Sequence, residues 1–328
     1  MPGKSGLAPY SNRGLDGRKS TIQEIPYNLY LDCSIGRCSI DGLRLKFTYR
    51  NKAYSWEKHV PVAAIDRISA LLDSLDIMDL HSGFDISWSY KDFFKIGSYC
   101  RTARISGDDW SCAVMVGRYC FESDCKQVAP EAVFDYNPNK VPAEVAARIV
   151  RLLRDSALTV SVVRFDVAFD ILVPRSDVEL VRDSRRGYRL FEEHGAKTEY
   201  QGERGSHGAM KLYDKMLEAG LSEPVTRCEI TLEYARYTTV STLFPKLYCF
   251  TGYQLDVAFS SLPFQVQACI YHPDLLPVLK SSMERHAYKK YVDMMNGLEQ
   301  SVLIPSDFPA IDSFIRSALH HYLSGVVS

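Results

Sequence analysis

The segment from Val160 to Leu172 constrains this chain more than any other stretch. Within it Val163, Phe165, Val167 and Phe169 alternate with Arg164, Asp166, Ala168 and Asp170. Successive side chains of a strand point to opposite faces, so one face is apolar and the other carries two carboxylates and a guanidinium. A strict period of two argues for a strand in a sheet with one buried face, and against a helix.

Two later segments repeat the pattern. Met210 and Leu212 alternate with Lys211, Tyr213 and Lys215; Cys228, Ile230, Leu232 and Tyr234 alternate with Arg227, Glu229, Thr231 and Glu233. If the three strands share a sheet, one face gathers Asp166, Asp170, Glu229 and Glu233 with Tyr213, Lys211, Lys215, Arg164 and Arg227. The plain alternative is a salt-bridged, solvated sheet surface. Clustered carboxylates repel one another unless cations sit among them. Such oxygen ligands suit Mg²⁺ or Mn²⁺, ions that hold phosphate oxygens and stabilise their charge. A phenol is a weak nucleophile at its free pKa of about 10, and nearby lysine and arginine favour its anion. Attack of that phenol on a phosphodiester keeps the bond energy in a phosphotyrosine, so the strand can be rejoined.

The rest of the chain reads as alternating strands and helices. Strands are expected over Tyr27–Cys33 and Leu43–Tyr49, and strands with turns from Ile86 to Phe121. Helical spacing marks Pro61–Leu75, Val141–Arg154, a segment opened by Pro174 and Ser176 through Leu190, Ser281–Asn296 and Asp307–Leu323. This order predicts an α+β fold with a largely antiparallel central sheet, helices packed on one face and further C-terminal helices. The expected division is a flexible tail over 1–22, a catalytic domain over 23–260 and a helical region over 261–328.

Composition narrows the function classes. A formal net charge of -1 shows no polycation, so any nucleic-acid contact needs a local basic face. No apolar run approaches the roughly 20 residues that span a bilayer, and the first residues lack a signal-peptide core. Nine scattered cysteines, an odd number without zinc-finger spacing, suit reduced thiols in a cytoplasm.

Four segments, in this order, resemble the rolling-circle replication initiators of filamentous phages and small plasmids, and the related mobilisation relaxases. They are Val116-Gly117-Arg118-Tyr119-Cys120-Phe121-Glu122, Arg164 to Asp170, Lys211-Leu212-Tyr213-Asp214-Lys215, and Thr226-Arg227-Cys228-Glu229-Ile230. The resemblance covers about Thr48 to Arg236. It implies a nicking-relaxase-like fold in which Tyr213 is the nicking nucleophile and Lys215 its charge-stabilising partner. Asp166, Glu229, Asp170 and Glu122 are then the ligands of Mg²⁺ or Mn²⁺, and Lys211, Arg164 and Arg227 touch DNA. The implied activity is site-specific nicking and strand transfer at an origin, followed by synthesis with a host helicase and polymerase. Two features depart from the pattern: the chain has no His-hydrophobic-His metal motif, and Tyr119 replaces a glycine of the first segment.

Tyr200 is the rival nucleophile, set aside at this level because Glu199 and Glu203 flank it and anions raise a phenol's pKa. His207 is a conceivable extra ligand. Arg182, Arg185, Arg186 and Arg189 suit either phosphate contacts or a solvated helix face, and Trp88, Tyr90, Phe93 and Phe94 could stack bases, although buried core is the expectation for most of them. A non-catalytic DNA-binding regulator and a hydrolytic nuclease are the competing readings.

Overall fold

The computed structural model describes residues 8–9, 29–49, 54–55, 85–90, 95–122, 125–155, 157–193, 196–249, 262–271, 275–299 and 302–324. The expected helix Pro61–Leu75, nearly all of the expected tail, and Phe93 and Phe94 lie outside them, as do the side chains of Trp88 and Tyr90.

The strands are β1 (Leu29–Cys33), β2 (Gly36–Thr48), β3 (Asp85–Tyr90), β4 (Tyr99–Ser106), β5 (Ser111–Glu122) and β6 (Cys125–Tyr136). Helix α1 (Ala143–Asp155) leads into β7 (Thr159–Ile171), the strand anticipated most clearly. Next come β8 (Val178–Leu180), β9 (Tyr188–Glu193), β10 (Ala196–Gln201), β11 (Met210–Asp214), the short α2 (Lys215–Ala219) and β12 (Thr226–Glu233). The C-terminal part holds β13 (Leu247–Cys249), α3 (Phe264–Tyr271), α4 (Leu276–Ser282), α5 (Arg285–Glu299), β14 (Val302–Leu303) and α6 (Phe308–Ser324).

Ten strands run β9-β10-β11-β12-β7-β2-β6-β5-β4-β3 in one sheet, with β1 on β2 and two-residue strands at its flank. Every pairing in it is antiparallel. The fold is therefore α+β, as the strand periodicity required. Phe165, Val167 and Phe169 of β7 lie in one continuous core with Ile149, Val150 and Leu153 of α1. Ile311, Phe314, Ile315, Ala318, Leu319 and Tyr322 form the stripe of α6 at helical spacing and join that same core. Asp312 fastens α6 by accepting from Tyr237, Thr239 and the Val240 N–H.

One expectation fails for an identifiable reason. After Pro174 there is no long helix but a single 3-10 turn, Arg175–Asp177, and then β8 and β9. Val178 and Leu180 bury alternate side chains while pairing with β13, and Arg175 turns inward to a buried ion pair with Glu199. Those tertiary partners outweigh a weak helical preference. The Val116–Glu122 segment falls within the strands expected from Ile86 to Phe121. It is strand, with a bulge at Gly117 (φ 70°) that seats Tyr119 in the core at 1% exposure.

Candidate active site

The register of four neighbouring strands assembles the polar face. Across β7 and β12, Asp166 opposes Thr231, Ala168 opposes Glu229 and Asp170 opposes Arg227. Across β12 and β11, Glu229 opposes Lys211 and Arg227 opposes Tyr213; across β11 and β10, Lys211 opposes Tyr200. Directly opposed residues point the same way, so these side chains share one face.

On the other side of β7, strand β2 contributes a residue that sequence reasoning missed. A register shift between Ile40 and Gly42 places Asp41 in a bulge, and bulges re-aim side chains. Gly42 is required there, since a Cβ would stand 2.5 Å from Asp166 Oδ2. A glycine inside a strand was the available signal of such a close approach.

Arg227 binds this group together. Its Nε and Nη2 donate to Asp170 Oδ1 and Oδ2 at 2.6 and 2.7 Å, and its Nη1 donates to Asp41 Oδ1 at 2.9 Å. Both Arg227 and Asp170 are buried, at 6% and 8% exposure. Asp170 is thus committed to a bidentate pair rather than a metal, and Arg227 to protein carboxylates rather than DNA. A planar fork facing a carboxylate is satisfied internally.

Tyr213 is enclosed too, at 4% exposure, and its hydroxyl donates to Glu229 Oε1 at 2.6 Å. Burial first, then the Glu229 charge, pushes its pKa well above the ordinary phenol value. Lys211 Nζ does lie 3.7 Å from the Tyr213 ring centroid, but Lys215 is 6.0 Å away and ion-paired with Glu218. The lysines therefore do not make Tyr213 a ready anion. Glu229 is itself pushed up to about 7, by burial and then by Asp41. Against the cost of its own burial, Arg227 and then Asn139 hold Asp41 below the usual carboxylate range.

Beside this closed cluster an open cleft of about 470 Å³ is lined by Arg164, Asp166, Tyr200, Arg204, Lys211 and Glu229, among others. Residues 202–208 form one wall. Gly205 (φ +80°) passes so close to Arg164 that a Cβ would lie 3.1 Å from its Nη1. Arg186 donates to the Gly208 carbonyl, so it braces this loop. His207 braces it from the other side, its Nδ1 accepting from the Glu233 N–H at 3.1 Å. Glu199, the neighbour that counted against Tyr200, points to the opposite face, where it is 2% exposed and paired with Arg175. Tyr200 instead shares its face with Lys211 and Arg189. The other expected arginines are engaged: Arg182 stacks on Tyr188 at 3.8 Å and Arg185 pairs with Asp183.

The resemblance implies a divalent metal, and the donors fit it in part. Asp166 Oδ1 is buried and meets no hydrogen-bond partner. Burial raises the Asp166 pKa, against the Thr231 hydroxyl. A buried carboxylate oxygen with no partner is costly unless a cation or proton meets it. Glu229 lies diagonally across from Asp166 on the same face. No group of three or more His, Cys, Asp and Glu able to hold a metal occurs among the described residues. Mg²⁺ commonly takes only one or two protein carboxylates and completes its shell with water and phosphate. Glu122 ends β5, three strand positions from β7, and its side chain lies outside the described residues.

No protein-family model matches the chain, and no curated protein does. Among solved structures it is similar to a rolling circle replication initiator protein from Geobacillus stearothermophilus. The match has 17% identity, covers 60% of this chain and 74% of that one, and has a TM-score of 0.31. No helix among the described residues is long and apolar enough to cross a membrane. What the cleft can do is decided by its own residues.

Proposed function

We propose that this protein is a site-specific DNA nickase and strand-transferase that initiates rolling-circle replication, and that Tyr200 rather than Tyr213 is its nucleophile. One observation carries the reading: an open cleft is lined together by Tyr200, the cationic residues Arg164, Arg204 and Lys211, and the acidic residues Asp166 and Glu229. Cations that line a partly desolvated cleft attract a phosphodiester and stabilise the charge that grows on its oxygens in transfer. The order of the four sequence segments supports the nickase class, while the choice of Tyr200 over the Tyr213 of those segments rests on the open cleft alone.

Arg164, Arg204 and Lys211 would hold the scissile phosphate against Tyr200. The Tyr200 oxygen then forms a bond to phosphorus as the bond from phosphorus to the 3′ oxygen breaks. The phenol gives up one proton and the departing 3′ oxygen takes one up, so the chain of phosphodiesters is exchanged and not hydrolysed. Asp166 and Glu229 would hold Mg²⁺ or Mn²⁺, which supplies positive charge to the phosphate when bound. The free 3′ hydroxyl would prime a host polymerase working with a helicase. A mobilisation relaxase would use the same chemistry.

Incubation of the protein with single-stranded DNA carrying its origin and Mg²⁺, read on denaturing gels, tests this directly. A covalent adduct is expected in wild type and in Tyr213→Phe, and none in Tyr200→Phe. Cleavage without an adduct would indicate a hydrolytic nuclease. Binding without cleavage would indicate a DNA-binding regulator.

A further inference from the structure

Strand β9 is the outer edge of the large sheet, and its polar-face side chains point the same way as the cleft. Arg189 stands directly opposite Tyr200, and Phe191 stands opposite Thr198, one step along. Phe191 is 56% exposed, although a ring of that size is ordinarily withdrawn from water. Its one aromatic contact among the described residues is with Tyr200 itself, edge to face at 5.6 Å between centroids and 87° between planes. The open face of Phe191 thus adjoins the tyrosine that faces the phosphate cations.

We infer that Phe191 is a stacking platform for an unpaired DNA base immediately adjoining the phosphate held in the cleft. The inference rests on the reading of that cleft as a site for single-stranded DNA. Aromatic rings stack any base, while flanking cations track the backbone. Arg189 and Arg204 supply such cations on the Tyr200 side. The strand would lead from Phe191 into the cleft past Arg189. Duplex DNA cannot use the platform, because its bases are stacked on one another and present only their edges. The contact with Tyr200 has a second consequence: a base seated on Phe191 restricts the tyrosine ring at the moment the phosphate arrives.

The test measures binding of a fluorescently labelled oligothymidylate of about 16 nucleotides, and of a duplex of equal length, to the whole protein. Phe191→Ala is expected to weaken single-strand binding by about five- to 150-fold and to leave duplex binding unchanged. Phe191→Trp is expected to restore single-strand binding, with quenching of the new indole's emission as the oligonucleotide is added. Single-strand binding unchanged in Phe191→Ala, or not restored in Phe191→Trp, would overturn the platform. The adduct assay on wild-type protein separates the two ideas. An adduct together with Phe191-independent binding sinks the platform alone. Phe191-dependent binding without any adduct sinks the nickase reading and leaves the platform standing.

Discussion

Tyr200 and Tyr213 share one face of the sheet and differ chiefly in burial. Tyr213 is sealed beneath Lys211 with its hydroxyl given to Glu229, whereas Tyr200 lines the open cleft. The same closeness of packing makes Gly42 a sensitive position, because a methyl there would displace the Asp166 carboxylate. Only the end of a side chain has to move, so Gly42→Ala is expected to change stability by less than about 1.5 kcal/mol. Its Mn²⁺ affinity, measured by titration calorimetry, is expected to fall about ten- to hundred-fold, as when a support of a metal ligand is lost. Unchanged affinity would remove Asp166 from the metal site. At this scale the sequence showed which residues share a face, since strand alternation is local. It did not show Arg227 consuming Asp170, which depends on a contact 57 positions away. Glu199 does not flank Tyr200 on its own face: alternation along 196–201 sends it to the far side, a strand period that was legible in the sequence.

The hairpin of β9 and β10 carries Tyr200, and its reverse side is unusually polar for a buried surface. Arg175 pairs with Glu199, and Glu199 also accepts from Tyr188 at 2.6 Å, with Lys197 3.6 Å away. Removing one partner of a buried pair strands the other charge. Arg175→Met is therefore expected to destabilise the protein by about 3–5 kcal/mol in urea unfolding, while substitutions of the exposed Arg185–Asp183 pair leave the unfolding midpoint nearly unchanged. The loop over residues 202–208 is expected to respond to pH through His207. Burial, then Arg236, lowers the His207 pKa, so the ring is neutral in the fold and accepts from the Glu233 N–H. A histidine with a depressed pKa stabilises above its unfolded value and loses that contribution as pH falls. Proteolysis within residues 202–208 should therefore accelerate as pH drops below about 6.5, and His207→Ala should abolish the dependence. The strands were legible because their period is local. The segment after Pro174 was not, because its apolar residues fit either period until Glu199 and β13 supplied partners.

A net charge of -1 spread over the whole chain conceals a local concentration of cations around the cleft. Arg164, Arg189, Arg204 and Lys211 are the four that face a strand entering past Phe191. If each meets one phosphate, the logarithm of single-strand affinity should fall with the logarithm of salt concentration with a slope of about -3. A slope near zero would contradict an electrostatic cleft. The α+β layering was legible from the order of periodic segments. The integration of α6 into the sheet's own core was not, because nothing local to Phe308–Ser324 says which apolar face it covers. The central claim is chemical, and mapping the nucleotide-bearing peptide by mass spectrometry after reaction with origin DNA tests it most directly. The account predicts a nucleotide on Tyr200, within β10. A nucleotide on Tyr213, or cleaved DNA with no modified tyrosine, would contradict it.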